Sequence, residues 1–172
     1  MSVCRVESHK RQELFIQAMR FVKSGVKLRL CGLSHDGKYN AKLQRIVAKH
    51  GLQRKVKIEH RWISEEEKAA IVGGALAVAY APIDEDSYGY PTLEGALAER
   101  PVVTTHDAGG TLEFVENDRN GVICDPTAES LAAAFDALWG DRDRTTRMGR
   151  AARERIGEMR IDWPHVVERV LA

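Results

Sequence analysis

The sequence lacks the features that mark membrane proteins and disulfide-rich secreted proteins. No apolar run reaches the roughly 18 residues that a membrane span needs, and the opening Met-Ser-Val-Cys-Arg is unlike a signal peptide. The three cysteines, Cys4, Cys31 and Cys124, form no C-x-x-C pair, which indicates small buried thiols in a reducing compartment. We therefore expect a cytoplasmic protein without a membrane span.

Net charge and aromatic side chains are also scarce. The 172 residues include 26 Lys and Arg against 25 Asp and Glu, for a net charge of +1, and only 6% of the residues are aromatic. A nucleic-acid partner would favour a strongly basic chain and a platform of stacking side chains. We therefore expect no nucleic-acid partner, and any anion site must be built locally from a few cations.

Several motifs of nucleotide and metal enzymes are missing as well. No G-x-G-x-x-G follows the first predicted strand, and neither G-x-x-x-x-G-K-[ST] nor G-x-S-x-G occurs. The six histidines do not have the spacing of metal ligands. We therefore expect no resident cofactor and no metal site.

Short apolar runs alternate with amphipathic helical patterns along most of the chain. Strands are predicted over residues 3–6, 26–32, 56–58, 75–81, 101–105 and 121–124. Helices are predicted between them, including one over residues 12–22, one opened by a capping box at Ser64–Glu67 and one capped by Asp125-Pro126. This alternation is typical of an α/β fold with a doubly wound, Rossmann-like parallel sheet and helices on both faces. Ligands of such sheets bind at the carboxyl ends of the strands, so the loops that follow the strands are the candidate site.

The loop after the first strand, residues 5–11, concentrates positive charge at the start of a helix. Arg5, Lys10 and Arg11 lie where free backbone N–H groups already carry partial positive charge, which disfavours cations. A diphosphate bound there would be held by amides and cations together. The alternative is an exposed basic edge that is merely tolerated.

The loop after the predicted strand 75–81 is acidic. Asp84, Glu85 and Asp86 precede Gly89 and the start of a helix that contains Pro91 and Glu94. Such carboxylates suit sugar and ribose hydroxyls, because each accepts two hydrogen bonds. The alternative is a solvated loop, with Glu94 favoured by the helix dipole. The later Gly109-Gly110 pair permits either approach to a ligand or a tight turn, and we favour the turn.

These pieces occur in an order that resembles a known family. The order is Arg5 and Lys10, then Asp86-Ser-Tyr-Gly-Tyr-Pro-Thr-Leu-Glu94, Pro101-Val-Val, Gly109-Gly110 with Glu113, and Asn120-Gly121. From Val3 to about Trp163, the chain is similar to the C-terminal half of group 1 retaining glycosyltransferases, whose GT-B fold has two Rossmann-like domains. The resemblance implies that residues 1–172 form the domain that binds the nucleotide-sugar donor. It also implies that the N-terminal, acceptor-binding domain is absent from this chain, whose abrupt start fits a domain boundary.

The resemblance implies roles for individual residues. Arg5 and Lys10 would bind the donor diphosphate, and Glu94 would hold the ribose hydroxyls. Asp86 would bind the hydroxyls of the transferred sugar, at a position where the family has glutamate. If the loop were shifted by one residue, Glu85 would take this role. The family glycines at positions 87 and 4 are replaced by Ser87 and Cys4.

Two further parts of the donor site are implied. The backbone of Tyr88, Gly89, Tyr90, Pro91 and Thr92 would support the sugar and the phosphates. In similar enzymes the loop after the third strand lies beside the nucleobase, so either Arg61 or Trp62 would border the base. The alternative for Trp62 is packing in the core, and it is the one we favour.

The resemblance implies a complete enzyme that transfers a sugar from a UDP- or GDP-linked donor with retention at the anomeric carbon, in glycan or cell-envelope polysaccharide synthesis. Because the acceptor-binding half is missing, we expect the isolated chain to bind the donor and to transfer little. Three alternatives remain open: a non-catalytic nucleotide-binding or regulatory module of the same fold, a sugar-nucleotide epimerase, and a plain interaction domain.

Overall fold

Parallel strands form the centre of the computed structural model, which describes residues 1–171. The strands in this range are β1 (Ser2–Val3), β2 (Leu28–Cys31), β3 (Val56–Glu59), β4 (Val78–Ala79), β5 (Val102–Thr105) and β6 (Gly121–Cys124). The helices are α1 (Gln12–Ala18), α2 (Gly37–Lys49), α3 (Glu65–Gly73), α4 (Tyr90–Leu97), α5 (Thr111–Phe114), α6 (Ala128–Gly140), α7 (Arg142–Glu158) and α8 (Trp163–Leu171). A single 3₁₀ turn, Ser8–Lys10, precedes α1.

The strands form two parallel three-stranded sheets that meet edge to edge. Their orders are β1-β2-β3 and β4-β5-β6. The sheets are joined where the Ala79 N–H donates to the Met1 carbonyl at 2.7 Å, so β1 lies beside β4. Across both sheets the order is therefore β3-β2-β1-β4-β5-β6, which reverses direction between β1 and β4. This confirms the predicted doubly wound α/β fold and places its switch point between the two predicted site loops.

Buried aliphatic and aromatic side chains cover both faces of the sheets. The largest cluster joins α1, α2 and α6 to the strands and contains Phe15, Leu43, Leu131 and Leu138, all fully or almost fully buried. A separate cluster around Phe114 and Ala152 packs α5 and α7 against β5. β5 is buried along its whole length, which agrees with its run of four β-branched residues, Val102–Thr105.

Some element boundaries differ from those predicted. The predicted strand 75–81 pairs as a strand only at Val78–Ala79, since Ala75 N–H closes a turn onto the Val72 carbonyl. The predicted helix 12–22 ends at Ala18 because the next turn tightens to a three-residue spacing, with Phe21 N–H donating to Ala18. The predicted cap at Asp125-Pro126 is wrong: the Thr127 hydroxyl accepts the Ser130 N–H at 3.2 Å and begins α6.

The contact between α7 and the end of α4 gives a test of the packing that supports the site. A Cβ added at Gly149 would lie 2.0 Å from the Glu99 carbonyl oxygen, whereas one at Gly157 in the same helix would have no heavy atom within 4 Å. We expect Gly149→Ala to lower the free energy of unfolding by about 1–3 kcal/mol, because backbone must move. The control Gly157→Ala is expected to raise it by up to about 1 kcal/mol. Urea denaturation measures both, and equal effects would contradict the packing.

Candidate functional site

A cleft of about 680 Å³ lies at the switch point of the sheet. Its walls come from the ends of β1, β2 and β4, the loop after β3, helix α3 and the start of α4. Charged residues from both predicted site loops line it together with a second set from α3 and the β3 loop: Arg5, Lys10, Arg61, Glu65, Lys68, Glu85 and Glu94. The predicted convergence of the strand-end cations and the helix-start acid therefore occurs.

Lys10 is the centre of a hydrogen-bonded cluster on one side of the cleft. Its ammonium donates to the Tyr80 hydroxyl at 2.8 Å and forms an ion pair with Glu85, and Tyr80 also donates to Glu85. The side chains of Lys10 and Glu85 are only 12% and 17% exposed. The ammonium therefore has a fixed position, close to the end of β4.

The cluster controls the ionisation of its members. Burial by itself would raise the pKa of Glu85, but hydrogen bonds from Lys10 and Tyr80 outweigh it and hold that pKa below its usual value. Burial and the neighbouring Glu85 carboxylate together raise the pKa of Tyr80. At neutral pH the Glu85 carboxyl of this cluster is thus ionised and the Tyr80 phenol is neutral.

Glu94 lies on another wall of the cleft, inside α4, and has its own cation. The Lys68 ammonium donates to Glu94 at 2.7 Å and pairs with Glu65 at 2.8 Å. Burial by itself would lower the pKa of Lys68, but the hydrogen bonds to Glu65 and Glu94 outweigh it. The pKa of Lys68 is therefore raised above its usual value. Pro91 in the first turn of α4 fixes the helix start, as predicted.

Sequence reasoning missed two of these residues. Tyr80 was assigned to a buried strand, and its position directly before the acidic loop was the only signal that its hydroxyl would reach the cleft. Lys68 gave no signal, because it lies in a charged helix that contacts Glu94 only through the tertiary fold.

Arg5 and Trp62 border the cleft with exposed side chains. The Arg5 side chain is 72% exposed and its guanidinium lies 3.4 Å from the Glu7 carboxylate, so it is much less constrained than Lys10. Trp62 is 68% exposed and lines the cleft, so the alternative of packing in the core is wrong. The neighbouring Arg61 is held by Glu67.

The predicted residues of the loop 85–92 divide into two groups. Glu85, Gly89, Tyr90 and Pro91 line the cleft, whereas Asp86, Tyr88 and Thr92 do not. Asp86 is exposed, the Tyr88 ring packs 6.4 Å from the Phe114 ring, and Thr92 is fully buried. The acid that the structure brings to Lys10 is therefore Glu85, the residue one position before Asp86.

Two glycine positions are required by the loop geometry. Gly89 has φ +75°, and a Cβ there would lie 2.2 Å from the Tyr80 ring. Gly109 has φ +63°, and a Cβ there would lie 2.3 Å from the Glu85 carbonyl oxygen. The favoured turn at Gly109-Gly110 is thus the observed one, with the acidic loop occupying the space that the glycines leave.

The described part of the chain contains no group of three or more His, Cys, Asp or Glu side chains placed to hold a metal ion. None of its helices has the length and apolar content to cross a bilayer. The charged groups that line the cleft are ammonium, guanidinium and carboxylate groups. Such a set can hold an anion through the cations and hydroxyls through the acids.

Comparison with known proteins identifies the family of the chain. The profile of the family described as "Glycosyl transferases group 1" matches residues 1–155. The chain is 29% identical over 127 residues to the alpha-1,3/1,6-mannosyltransferase ALG2 of Dictyostelium discoideum, covering 74% of this chain and 30% of that protein. It is 26% identical over 100 residues to the O-antigen chain mannosyltransferase C of Escherichia coli, covering 56% of this chain and 27% of that protein.

Solved structures show the same fold. The Anabaena protein HepE in complex with UDP superposes with a TM-score of 0.86 at 24% identity, over 99% of this chain and 47% of HepE. The C-terminal domain of the group 1 glycosyltransferase LpcC from Francisella tularensis gives 0.80 at 21% identity, over 91% of this chain and 83% of that domain. The chain therefore spans under a third of the curated relatives' length and about half of HepE.

The Lys10–Glu85 pair makes a prediction about stability. We expect Lys10→Met to lower the free energy of unfolding by about 1–3 kcal/mol at pH 7, because it leaves the mostly buried Glu85 carboxylate without its cation. The double variant Lys10→Met/Glu85→Gln should recover most of this loss. Urea denaturation at pH 7 measures each variant.

The pH dependence of that loss follows from the lowered pKa of Glu85. A carboxyl with a lowered folded-state pKa stabilises the fold above its unfolded pKa of about 4.3, and this stabilisation disappears as the pH falls through the folded-state pKa. The difference in free energy of unfolding between wild type and Lys10→Met should therefore decrease below about pH 4. A difference that stays constant from pH 7 to pH 3 would contradict the assignment.

Proposed function

Because the chain belongs to the group 1 glycosyltransferases, whose profile covers residues 1–155, we propose that its cleft binds a nucleoside diphosphate sugar, UDP- or GDP-linked, as the donor of a glycosyl transfer with retention at the anomeric carbon. The observation that carries this proposal is the convergence of Lys10, Glu85, Lys68 and Glu94 on one cleft at the switch point of the sheet. The cleft is lined by both cations and acids, as a ligand with both phosphates and hydroxyls requires.

The diphosphate would be held by Lys10 and Arg5. Both side chains line the cleft, Lys10 in a fixed position and Arg5 free to swing in from solvent. As the glycosidic bond to the diphosphate breaks, negative charge builds on the leaving oxygen, and fixed cations stabilise it. The proposal assigns this role to Lys10 and Arg5, so no resident metal or cofactor takes part in it.

The hydroxyls of the donor would be held by the acids. Glu94 on α4 would bind the ribose, and the acidic loop would bind the transferred sugar through Glu85, with Asp86 as the alternative that the family pattern implies. Trp62 and Arg61, on the loop after β3, would border the base. The relatives named as mannosyltransferases favour a mannosyl group, for glycan or cell-envelope polysaccharide synthesis.

Transfer itself would need the acceptor-binding domain. The rim of the cleft carries the exposed side chains of Trp62 and Tyr90 and is open to water. Positioning of the acceptor against the donor is worth about 7–11 kcal/mol of a reaction barrier. We therefore expect donor binding, but little or no transfer, from residues 1–172 alone.

Isothermal titration calorimetry with UDP and with GDP tests the donor site. We expect one of the two to bind, and Lys10→Ala to weaken that binding by about 10- to 100-fold, because a hydrogen bond to a charged group contributes about 1.5–3 kcal/mol. Lys49→Ala, at an exposed lysine on α2 outside the cleft, is the matched control and should leave the affinity unchanged. Absence of heat with both nucleotides, or equal binding by Lys10→Ala, would overturn the assignment.

A second measurement separates a glycosyltransferase half from a non-catalytic module. The family has glutamate where this chain has Asp86, and this difference favours the non-catalytic module. Supplying an N-terminal domain from a relative should restore sugar transfer if this chain is a working donor domain. Nucleotide binding without turnover in that complex would identify a non-catalytic module.

A further inference from the structure

Arg11, the residue after Lys10, has an unusual conformation. Its φ is +55° and its ψ +34°, in the left-handed region that non-glycine residues rarely adopt. It lies between the 3₁₀ turn and α1, and its N–H closes that turn onto the Ser8 carbonyl at 3.0 Å. A conformation of this kind costs about 1 kcal/mol or more and persists where surrounding contacts enforce it.

Those contacts come from its guanidinium, and Arg11 is not among the residues that line the cleft. Nε donates to the Ala81 carbonyl at 2.7 Å, and one terminal nitrogen donates to the Pro82 carbonyl at 2.6 Å. The two terminal nitrogens also bind both carboxylate oxygens of Asp107, at 2.8 and 2.7 Å, and one reaches the Thr105 hydroxyl at 2.8 Å. Arg11 thus connects the loop before α1 to the ends of β4 and β5.

The positive charge of Arg11 is therefore already paired with the Asp107 carboxylate. The Arg11 side chain is 13% exposed, and its hydrogen bonds hold the pKa of Asp107 at about 2, against the opposing effect of burial. A guanidinium that already binds a bidentate carboxylate and two carbonyls uses four of its five N–H donors, which leaves at most one for a phosphate. Of the three cations in the 5–11 loop, this one is not placed to bind the donor.

The same region fixes the backbone of the acidic loop on both sides. Ile83 N–H donates to the His9 carbonyl and Asp84 N–H donates to the Asp107 carbonyl, each at 3.0 Å. Gly110 N–H donates to the Glu85 carbonyl at 2.6 Å. Arg11 bridges the two sides of this arrangement, so the backbone positions of Lys10 and Glu85 both depend on it.

We propose that Arg11, locked to Asp107, is a positioning residue that holds Lys10 and the acidic loop in the arrangement that binds the donor. This inference rests on the proposed function, because its consequence is measured on nucleotide affinity. Arg11 acts through its neighbour Lys10 and through the loop 82–85, without touching the ligand. A planar guanidinium is required, since the three N–H donors of a lysine cannot replace the four that bind both carboxylate oxygens and both carbonyls.

The test compares Arg11→Gly, Arg11→Lys and Asp107→Asn with wild type. Glycine adopts the left-handed backbone freely, so Arg11→Gly keeps the conformation and removes only the guanidinium. We expect Arg11→Gly to weaken binding of UDP or GDP by about 10- to 100-fold, as displaced positioning groups do. Arg11→Lys should not restore the affinity, and Asp107→Asn should weaken it by a smaller factor.

Coupling and local exchange separate positioning from general destabilisation. The double variant Arg11→Gly/Asp107→Asn should bind no more weakly than Arg11→Gly, because the second change removes a partner already lost. Hydrogen exchange should accelerate at the amides of Ile83, Asp84 and Gly110 while that of Leu30 in β2 stays unchanged. The control is Arg144→Gln, which removes the ion pair of Arg144 with Asp118. Both residues lie outside the cleft, so this variant should change neither nucleotide affinity nor hydrogen exchange at these amides.

The outcomes are distinguishable. Unchanged nucleotide affinity in Arg11→Gly, or exchange that accelerates equally at Leu30, would overturn the positioning role and leave the donor site intact. A wild-type chain that binds neither UDP nor GDP would overturn the donor site itself, and this inference with it.

Discussion

The hydrogen bond between β4 and β1 is the constraint on which the rest of the structure depends. Because β1 and β4 are neighbours, the loop that carries Arg5 and Lys10 emerges at the same edge of the sheet as the acidic loop after Ala79. The two loops are far apart in sequence, since 70 residues separate Lys10 from Tyr80. No local pattern could bring them together, and a different strand order would leave two unrelated surface loops.

In the free state the cleft neutralises its own charges. Lys10 is paired with Glu85, and Lys68 is paired with Glu94. A phosphate that approaches Lys10 must therefore share it with a carboxylate or displace one, and the displaced acid becomes available to hydroxyl groups. The arrangement favours a ligand that supplies both an anion and hydroxyls over one that supplies only an anion, because the second leaves the acids without partners.

The parts of this picture that sequence could predict are those with a local or periodic signal. The alternation of elements, the Ser64 cap and the first-turn Pro91 follow from hydrophobic period and capping chemistry. The choice between Glu85 and Asp86 could not be predicted, because a one-residue difference in a loop is set by distant contacts such as Asp84 with Asp107. The role of Arg11 was hidden for the same reason: in sequence it is one more cation beside Lys10, and only the fold brings Asp107 to it.

Side-chain exposure increases from the base of the cleft to its rim. Lys10 and Glu85 are nearly buried at its base, whereas Tyr90 is 82% exposed and Trp62 68% exposed at its rim. Large aromatic side chains on an otherwise charged surface cost free energy in water and become favourable when a ligand or a second surface covers them. Covering them would also lower the effective dielectric around Lys10, which strengthens its attraction for a diphosphate. The chain thus holds its rigid charges at the base of the cleft, where it can position them alone, and under the proposed function the ligand and an acceptor-binding domain would complete the rim.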